Sequence, residues 1–206
     1  FFVVAGYRLL LPPAWLEYPT VAALNFHPSL LPQYPGPAPV EWAILKGETT
    51  TGISIIKMTE EYDQGPIIAQ KKLPILSTDT RLTLYQKLYE LGAETILGIL
   101  LSSYKAWPCR PTRPGLNEIF YARRLHRIDG YIPWADIQTS MDTGHHAKEI
   151  DRKIRALAGY PGTWTHLPNR KRIKILTSHL ESKKLTLDLI QLEGKTPTAF
   201  SLSLVS

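Results

Sequence analysis

Asn25, His27 and Asp63 are the residues of this 206-residue chain whose types together could carry out acyl transfer. A side-chain amide can donate a hydrogen bond to an oxyanion without bringing charge of its own, a contribution of roughly 3 kcal/mol at comparable sites. An imidazole, with an ordinary pKa near ~6.5, can donate to the same oxygen or exchange protons near neutral pH. A carboxylate can orient that imidazole, or a water that relays the proton. This scheme requires no metal. Taken singly, each residue has a plainer reading: Asn25 as a turn or capping residue, His27 as a structural histidine, Asp63 as the aspartate of an ordinary turn before Gln64-Gly65. It is the combination that points to chemistry.

The flanking sequence places them. Residues 21–26 are a short apolar run that stops at a loop with prolines at 28, 32, 35, 37 and 39. Asn25 and His27 therefore fall where a strand leaves a sheet, the edge at which open α/β sheets bind ligands. Each proline fixes φ, so this loop loses less conformational freedom on docking a ligand than an ordinary loop would. Residues 2–5 and 21–26 suit strands covered on both faces, as in a parallel sheet. The composition of 40–46, ending at Gly47, suits a helix. Residues 52–58 read as a further strand, and 67–75 as an edge strand because Pro74 cannot donate to a ladder. The longest helical pattern runs from 78 to about 105, with Thr78 or Asp79 as its cap.

Trp107-Pro108-Cys109-Arg110-Pro111-Thr112-Arg113-Pro114-Gly115 has the composition of a linker. It divides the chain into a first domain over 1–108, a linker over 109–134 and a β-rich domain over 135–206. Within the linker, 121–134 reads as an irregular connector, and in the last domain 146–158 forms an amphipathic helix. The runs 162–167, 172–177 and 184–192 then read as strands of a small barrel-like domain. Charge follows the same division. Residues 1–108 hold eight basic against nine acidic side chains, and the remainder holds sixteen against nine. A basic excess confined to one half suits a polyanionic partner, nucleic acid above all, although a solvated basic surface has the same composition. The lone Cys109 excludes an internal disulfide framework and fits a reducing cytoplasm. No apolar run is long enough to span a membrane. The start, Phe1-Phe2-Val3-Val4-Ala5-Gly6, reads as a buried strand rather than a signal peptide.

Asn25, His27, Ser29, Leu30, Leu31 and Pro32, followed by Asp63 and Gly65, resemble the Asn-x-His-x-Ser-Leu-Leu-Pro and Asp-x-Gly motifs of the formyltransferases that use 10-formyltetrahydrofolate. The resemblance implies a partial Rossmann-like α/β domain, followed by a small β-barrel-like domain of the OB type. It implies catalysis by Asn25, His27 and Asp63. It also implies contact with the folate co-substrate by Ser29, Leu30, Leu31, Pro32, Gln64, Gly65 and Pro66, and no metal. Departures are Gln33 and Pro35, where the family often has basic residues, and the order Tyr7-Arg8 after Ala5-Gly6. Family members carry an earlier stretch with the first strands of the sheet, so this chain is expected to lack that part.

The second half decides between subtypes. Ile128-Asp129-Gly130-Tyr131-Ile132-Pro133-Trp134, the helix with Arg152, Lys153 and Arg155, Tyr160-Pro161-Gly162-Thr163-Trp164 and Gln191-Leu192-Glu193-Gly194-Lys195 resemble the continuation found in methionyl-tRNA formyltransferases. That implies a cytoplasmic, monomeric enzyme of translation initiation whose partner is initiator tRNA charged with methionine. Arg152, Lys153, Arg170, Lys171, Arg172 and Lys174 are the candidates for phosphate contact. The alternatives are a formyltransferase for a small amine, such as an amino sugar or glycinamide ribonucleotide, and an inactive RNA-binding remnant.

Overall fold

The computed structural model describes residues 1–7, 9–102, 107–108, 110–111 and 119–201. Arg8, Cys109, the 112–118 part of the expected linker and the 103–105 end of the expected long helix lie outside the described residues. The chain forms two units. One comprises 1–43, 48–77 and 83–124; the other comprises 44–47, 78–82 and 125–206. Two short pieces of the first half thus belong to the second unit, an interleaving that a linear division at 109–134 does not contain.

In the first unit, β1 (Phe2–Ala5), β2 (Ala23–His27), β3 (Thr50–Lys57) and β4 (Ile67–Pro74) form one sheet in that order. β1 and β2 pair in parallel, while β3 runs antiparallel to β2 and β4 antiparallel to β3. The α/β class expected from sequence holds, with a mixed rather than purely parallel sheet. For β3 and β4 the reason lies in the connection: residues 58–66 carry no helix and are too few for the crossover that a parallel pair needs. β4 is an edge strand, and Pro74 closes it opposite Thr50. β3 is buried from Thr51 through Ile56, as a central strand covered on both faces should be.

The helices follow the apolar spacing. α1 (Pro13–Glu17) is a single short turn, and α2 (Pro39–Lys46) ends at Gly47, which takes a left-handed φ of 75°. α3 (Arg81–Leu101) buries Leu84, Leu88, Gly92 and Ile99 along one stripe. Gly92 lies directly over the Phe26 ring, where a Cβ would collide. The start of α3 differs from expectation, since helix begins at Arg81 rather than just after Thr78 or Asp79. Asp79 is buried instead, and its carbonyl accepts a hydrogen bond from Arg155 Nη1 at 2.7 Å within the second unit.

The second unit holds a 3-10 turn over Arg127–Gly130, then α4 (Trp134–Thr143) and α5 (Ala147–Ala156). These precede β5 (Thr163–His166), β6 (Arg172–Glu181), β7 (Lys184–Leu192) and the short β8 (Thr198–Ala199), paired antiparallel in that order. The β-rich second domain expected from sequence is a four-stranded antiparallel sheet, in which, among the described residues, β5 does not pair with β8. Its core joins Ile137, Ile150 and Ile154 of the helices to Ile173, Ile175, Leu185 and Leu187 of the sheet. Two features go beyond the sequence reading. α4 carries a starting signal in Pro133 and a stop in Gly144 at φ 80°, with Trp134, Ile137 and Ser140 buried three apart. β6 extends to Glu181 because Ser182 and Lys183, both left-handed, turn it tightly into β7.

Among the described residues no helix is long and apolar enough to cross a membrane. Ile55, fully buried in the central strand, tests the first core. Ile55→Ala is expected to lower unfolding free energy by about 2–5 kcal/mol in denaturant titration, and a loss below about 0.5 kcal/mol on the surface-substitution scale would contradict the placement.

Candidate active site

Alternation along β2 sorts its side chains onto two faces. Leu24 and Phe26 point to the face covered by α3, where the Phe26 and Tyr89 rings lie 4.9 Å apart. Asn25 and His27 share the opposite face, about 6.6 Å apart along the strand by the usual rise. His27 is 4% exposed, and both its ring nitrogens face oxygens. Nε2 lies 2.9 Å from the Tyr34 carbonyl oxygen, and Nδ1 lies 3.3 Å from Asp63 Oδ1. A carbonyl oxygen can only accept, so Nε2 carries hydrogen. The other side of the ring then has room for one proton between Nδ1 and the carboxylate. Without that proton the pair is an acceptor; with it, the pair is an acid. The Asn25 amide makes no side-chain hydrogen bond among the described residues, which leaves its donors available to a ligand.

Asp63 reaches His27 through unusual backbone geometry. Asp63 and Tyr34 both have left-handed φ, 55° and 58°, at a strain on the order of 1–3 kcal/mol for such residues. The bonds made there offset it. Gly36 N–H donates to Asp63 Oδ2 at 2.8 Å, and the Tyr34 hydroxyl donates to Glu48 Oε1 at 2.6 Å. Gly36 itself has φ 111° and sits 2.9 Å, measured from an ideal Cβ, from the Ala122 carbonyl, so no other residue fits. Burial alone would raise the Asp63 carboxyl, but the hydrogen bond and charge of His27, with the Gly36 N–H, outweigh it and hold it below its ordinary value. Burial, then the hydrogen bond and charge of Glu48, push the Tyr34 phenol well above its usual range, so it stays protonated as donor.

The loop after His27 is clamped to the sheet by residues that sequence reasoning missed. Ser54, fully buried in β3, donates to the Ser29 carbonyl at 2.7 Å and accepts from Leu31 N–H at 3.0 Å. Gln70 Nε2 on β4 reaches both the Leu31 carbonyl, at 2.8 Å, and Ser54 Oγ, at 2.9 Å. The Ser29 hydroxyl closes the loop on itself by donating to the Gln33 carbonyl at 2.7 Å. Leu31 packs against Ile56 and Ile67. Ser29 and Leu31 are thus turned inward as anchors, whereas Leu30, Pro32 and Gln64 keep accessible surface. Gly65 is buried where a Cβ would strike the Lys57 carbonyl, which fixes the turn that delivers Asp63. Pro66 continues it by accepting from Lys57 N–H at 2.9 Å.

The six basic candidates of the second unit divide into two kinds. Lys153 donates to the Tyr131 carbonyl at 2.8 Å, and its pKa is lowered by burial, against the opposing attraction of Asp129. Arg152 lies across Gly47, 3.8 Å from Glu149. Both are structural ties in this fold. Arg170, Lys171 and Lys174 are exposed, and Arg172 pairs with Glu193 at 2.7 Å. Among the described residues no three His, Cys, Asp or Glu side chains are grouped as for a metal ion.

Residues 1–100 match the family described as formyl transferase, and residues 138–199 match its C-terminal domain. The chain belongs to the formyl transferase family. Among relatives, it is 38% identical over 165 residues to the methionyl-tRNA formyltransferase of Gluconobacter oxydans strain 621H, which covers 80% of this chain and 50% of that protein. It is 36% identical over 178 residues to the corresponding enzyme of Syntrophus aciditrophicus strain SB, covering 85% of this chain and 53% of the relative. The chain thus spans about half the length of these relatives. Two solved structures share the fold. One is the methionyl-tRNA formyltransferase from Clostridium thermocellum, with a TM-score of 0.70 at 19% identity over 92% of this chain and 77% of that one. The other is HypX from Aquifex aeolicus in complex with tetrahydrofolic acid, with a TM-score of 0.68 at 22% identity over 87% of this chain and 29% of that one.

Two outcomes are expected for this candidate site. Because the Asp63 carboxyl is held below its ordinary 3.8 in the fold, its contribution is present above that pH and is lost as pH falls through the lower folded value. The stability difference between the native chain and Asp63→Asn should therefore be full near neutrality and close in acid; a difference independent of pH would refute the pairing. Ser54→Ala leaves the Leu31 N–H without its partner and should destabilise the chain by about 1–3 kcal/mol, with Ser54→Thr retaining most of the native value in thermal unfolding. Equal losses for the two variants would contradict the clamp.

Proposed function

We propose that this chain transfers the formyl group of 10-formyltetrahydrofolate to the methionyl amine of initiator Met-tRNA, in the cytoplasm and as a monomer, at the start of translation. The observation that supports this most is the His27–Asp63 contact with an uncommitted Asn25 amide on the same strand face. Attack by a neutral amine on the formyl carbon builds negative charge on the formyl oxygen and an acidic proton on the nitrogen. Asn25 donates to that oxygen. The His27 Nδ1–Asp63 pair takes that proton and returns it to the folate nitrogen as the bond between that nitrogen and the formyl carbon breaks, releasing tetrahydrofolate and the formylated amine, while Tyr34, Gly36 and Glu48 hold the pair in place.

In this reading residues 1–108 are the catalytic portion, 109–134 the linker and 135–206 the tRNA-binding part. The folate co-substrate lies along Leu30, Pro32, Gln64 and Pro66, on a surface shaped from behind by Ser29, Leu31 and Gly65. Arg170, Lys171, Arg172 and Lys174 meet phosphates of the tRNA, with Arg152 and Lys153 supporting the same face. The methionyl-tRNA formyltransferase relatives and the tetrahydrofolate-bound structural neighbour support the choice of acceptor and co-substrate.

Formylation of Met-tRNA tests the reading. Asn25→Ala is expected to lower kcat by about 10²–10³-fold, on the scale of a lost oxyanion donor, and Asp63→Ala to reduce it at least as far. Affinity for tRNA should fall steeply with salt. Unchanged rates in both variants would contradict the site. Equal transfer to a small amino sugar with no salt slope would favour a small-amine enzyme, and tRNA binding without folate binding would favour an RNA-binding remnant.

A further inference from the structure

The outward face of β5 and β6 carries, beside the Arg172 and Lys174 already assigned to phosphate, aromatic side chains that the proposed reaction does not use. Thr163 and Thr165 of β5 are buried, as are Ile173 and Ile175 of β6, so Trp164, His166, Arg172 and Lys174 project from the other face. The strand register aligns them across the sheet. Tyr131 bridges to Trp164, Trp164 lies opposite Lys174, and Lys174 lies opposite Gln191; in the next row His166 lies opposite Arg172. The rings are close. The Tyr131 and Trp164 centroids are 4.8 Å apart, and the Trp164 and His166 centroids are 5.2 Å apart. The indole is held in one orientation, because its Nε1–H donates to the Arg127 carbonyl at 2.9 Å. His166 and Lys174 are exposed, and the Lys174 ammonium has no ion pair among the described residues.

We infer that this face is a stacking platform for unpaired nucleobases at a single-stranded end of RNA. The inference rests on the reading of the second unit as the RNA-holding part, and says which feature of RNA it holds. An aromatic ring can stack only on a base whose own face is open, so a duplex interior offers it nothing and an unpaired end offers a base at each nucleotide. The neighbours of the rings decide against an apolar protein surface. Lysine, arginine and glutamine stand at the cross-strand positions where a hydrophobic dock would place aliphatic residues. They suit the phosphate that follows each stacked base, and the basic excess of the chain lies in this half. A fixed indole also loses little freedom on binding.

The test compares two RNA hairpins of identical stem, one blunt and one with a short unpaired 3′ tail, by fluorescence anisotropy with the full chain. The native chain is expected to bind the tailed hairpin about tenfold more tightly, within the range for stacked bases removed by substitution. Trp164→Leu should abolish that preference while leaving blunt-hairpin affinity within about twofold, since phosphate contacts are unchanged. Trp164→Phe, which keeps a ring, should retain most of it. His166→Ala alters an exposed position, so it reports even if Trp164→Leu fails to fold, and should reduce the preference by about threefold or more. Equal binding of the two hairpins by the native chain, or a preference surviving both Trp164→Leu and His166→Ala, would overturn the inference. Formyl transfer measured in parallel separates the two readings. A chain that formylates Met-tRNA without tail preference refutes the platform alone, and one with tail preference but no transfer leaves the platform standing and removes the proposed reaction.

Discussion

The candidate site depends on one buried imidazole whose two nitrogens face oxygens from different parts of the chain. His27 is held between a backbone carbonyl that can only accept and a carboxylate that can accept or release a proton. This asymmetry sets the tautomer: the carbonyl fixes hydrogen on one nitrogen, and all proton exchange is confined to the other. Neither oxygen could stand where it does on ordinary backbone. Tyr34 and Asp63 are both left-handed, and strain of this kind persists only where surrounding structure over-determines it. Here Glu48 restrains the Tyr34 side chain and Gly36 restrains the Asp63 carboxylate.

The rest of the first unit serves to keep that arrangement from relaxing. The loop after His27 would be free to move Tyr34 away, yet its backbone is tied to β3 and β4 through Ser54 and Gln70. Prolines limit its conformations before any tie forms. Opposite the site, Phe26 seats β2 against α3 through the gap left by Gly92. One strand therefore commits alternate residues to two faces, apolar packing on one side and the candidate site on the other. A register slip of one residue would exchange the two sets and lose both.

The parts legible in the sequence were those expressed in residue type and spacing. Asn25 and His27, at the end of an apolar run, could be placed where a strand leaves a sheet, and the proline loop and a long helix after residue 78 were plain, although the helix begins only at Arg81. The proximity of Asp63 to His27 came from the family resemblance, not from spacing. Tyr34 acts through its carbonyl, a group every residue carries, so nothing in the sequence marks it. Ser54 sits among isoleucines and reads as a tolerated small polar residue until the loop it bonds is in view. In the second unit, α4 was hidden by weak amphipathicity although Pro133 and Gly144 bracket it. β6 was cut short because Ser178 and His179 interrupt its apolar alternation. The interleaving of 44–47 and 78–82 with the second unit is a property of tertiary packing that no local pattern encodes.

The tautomer of His27 is the most direct test of this account, and nitrogen NMR of histidine-labelled chain measures it. The geometry predicts hydrogen on Nε2 of the neutral ring, held there by the Tyr34 carbonyl, with the Nδ1 signal altered in Asp63→Asn. A neutral ring bearing its hydrogen on Nδ1, or a His27 signal indifferent to Asp63→Asn, would contradict it.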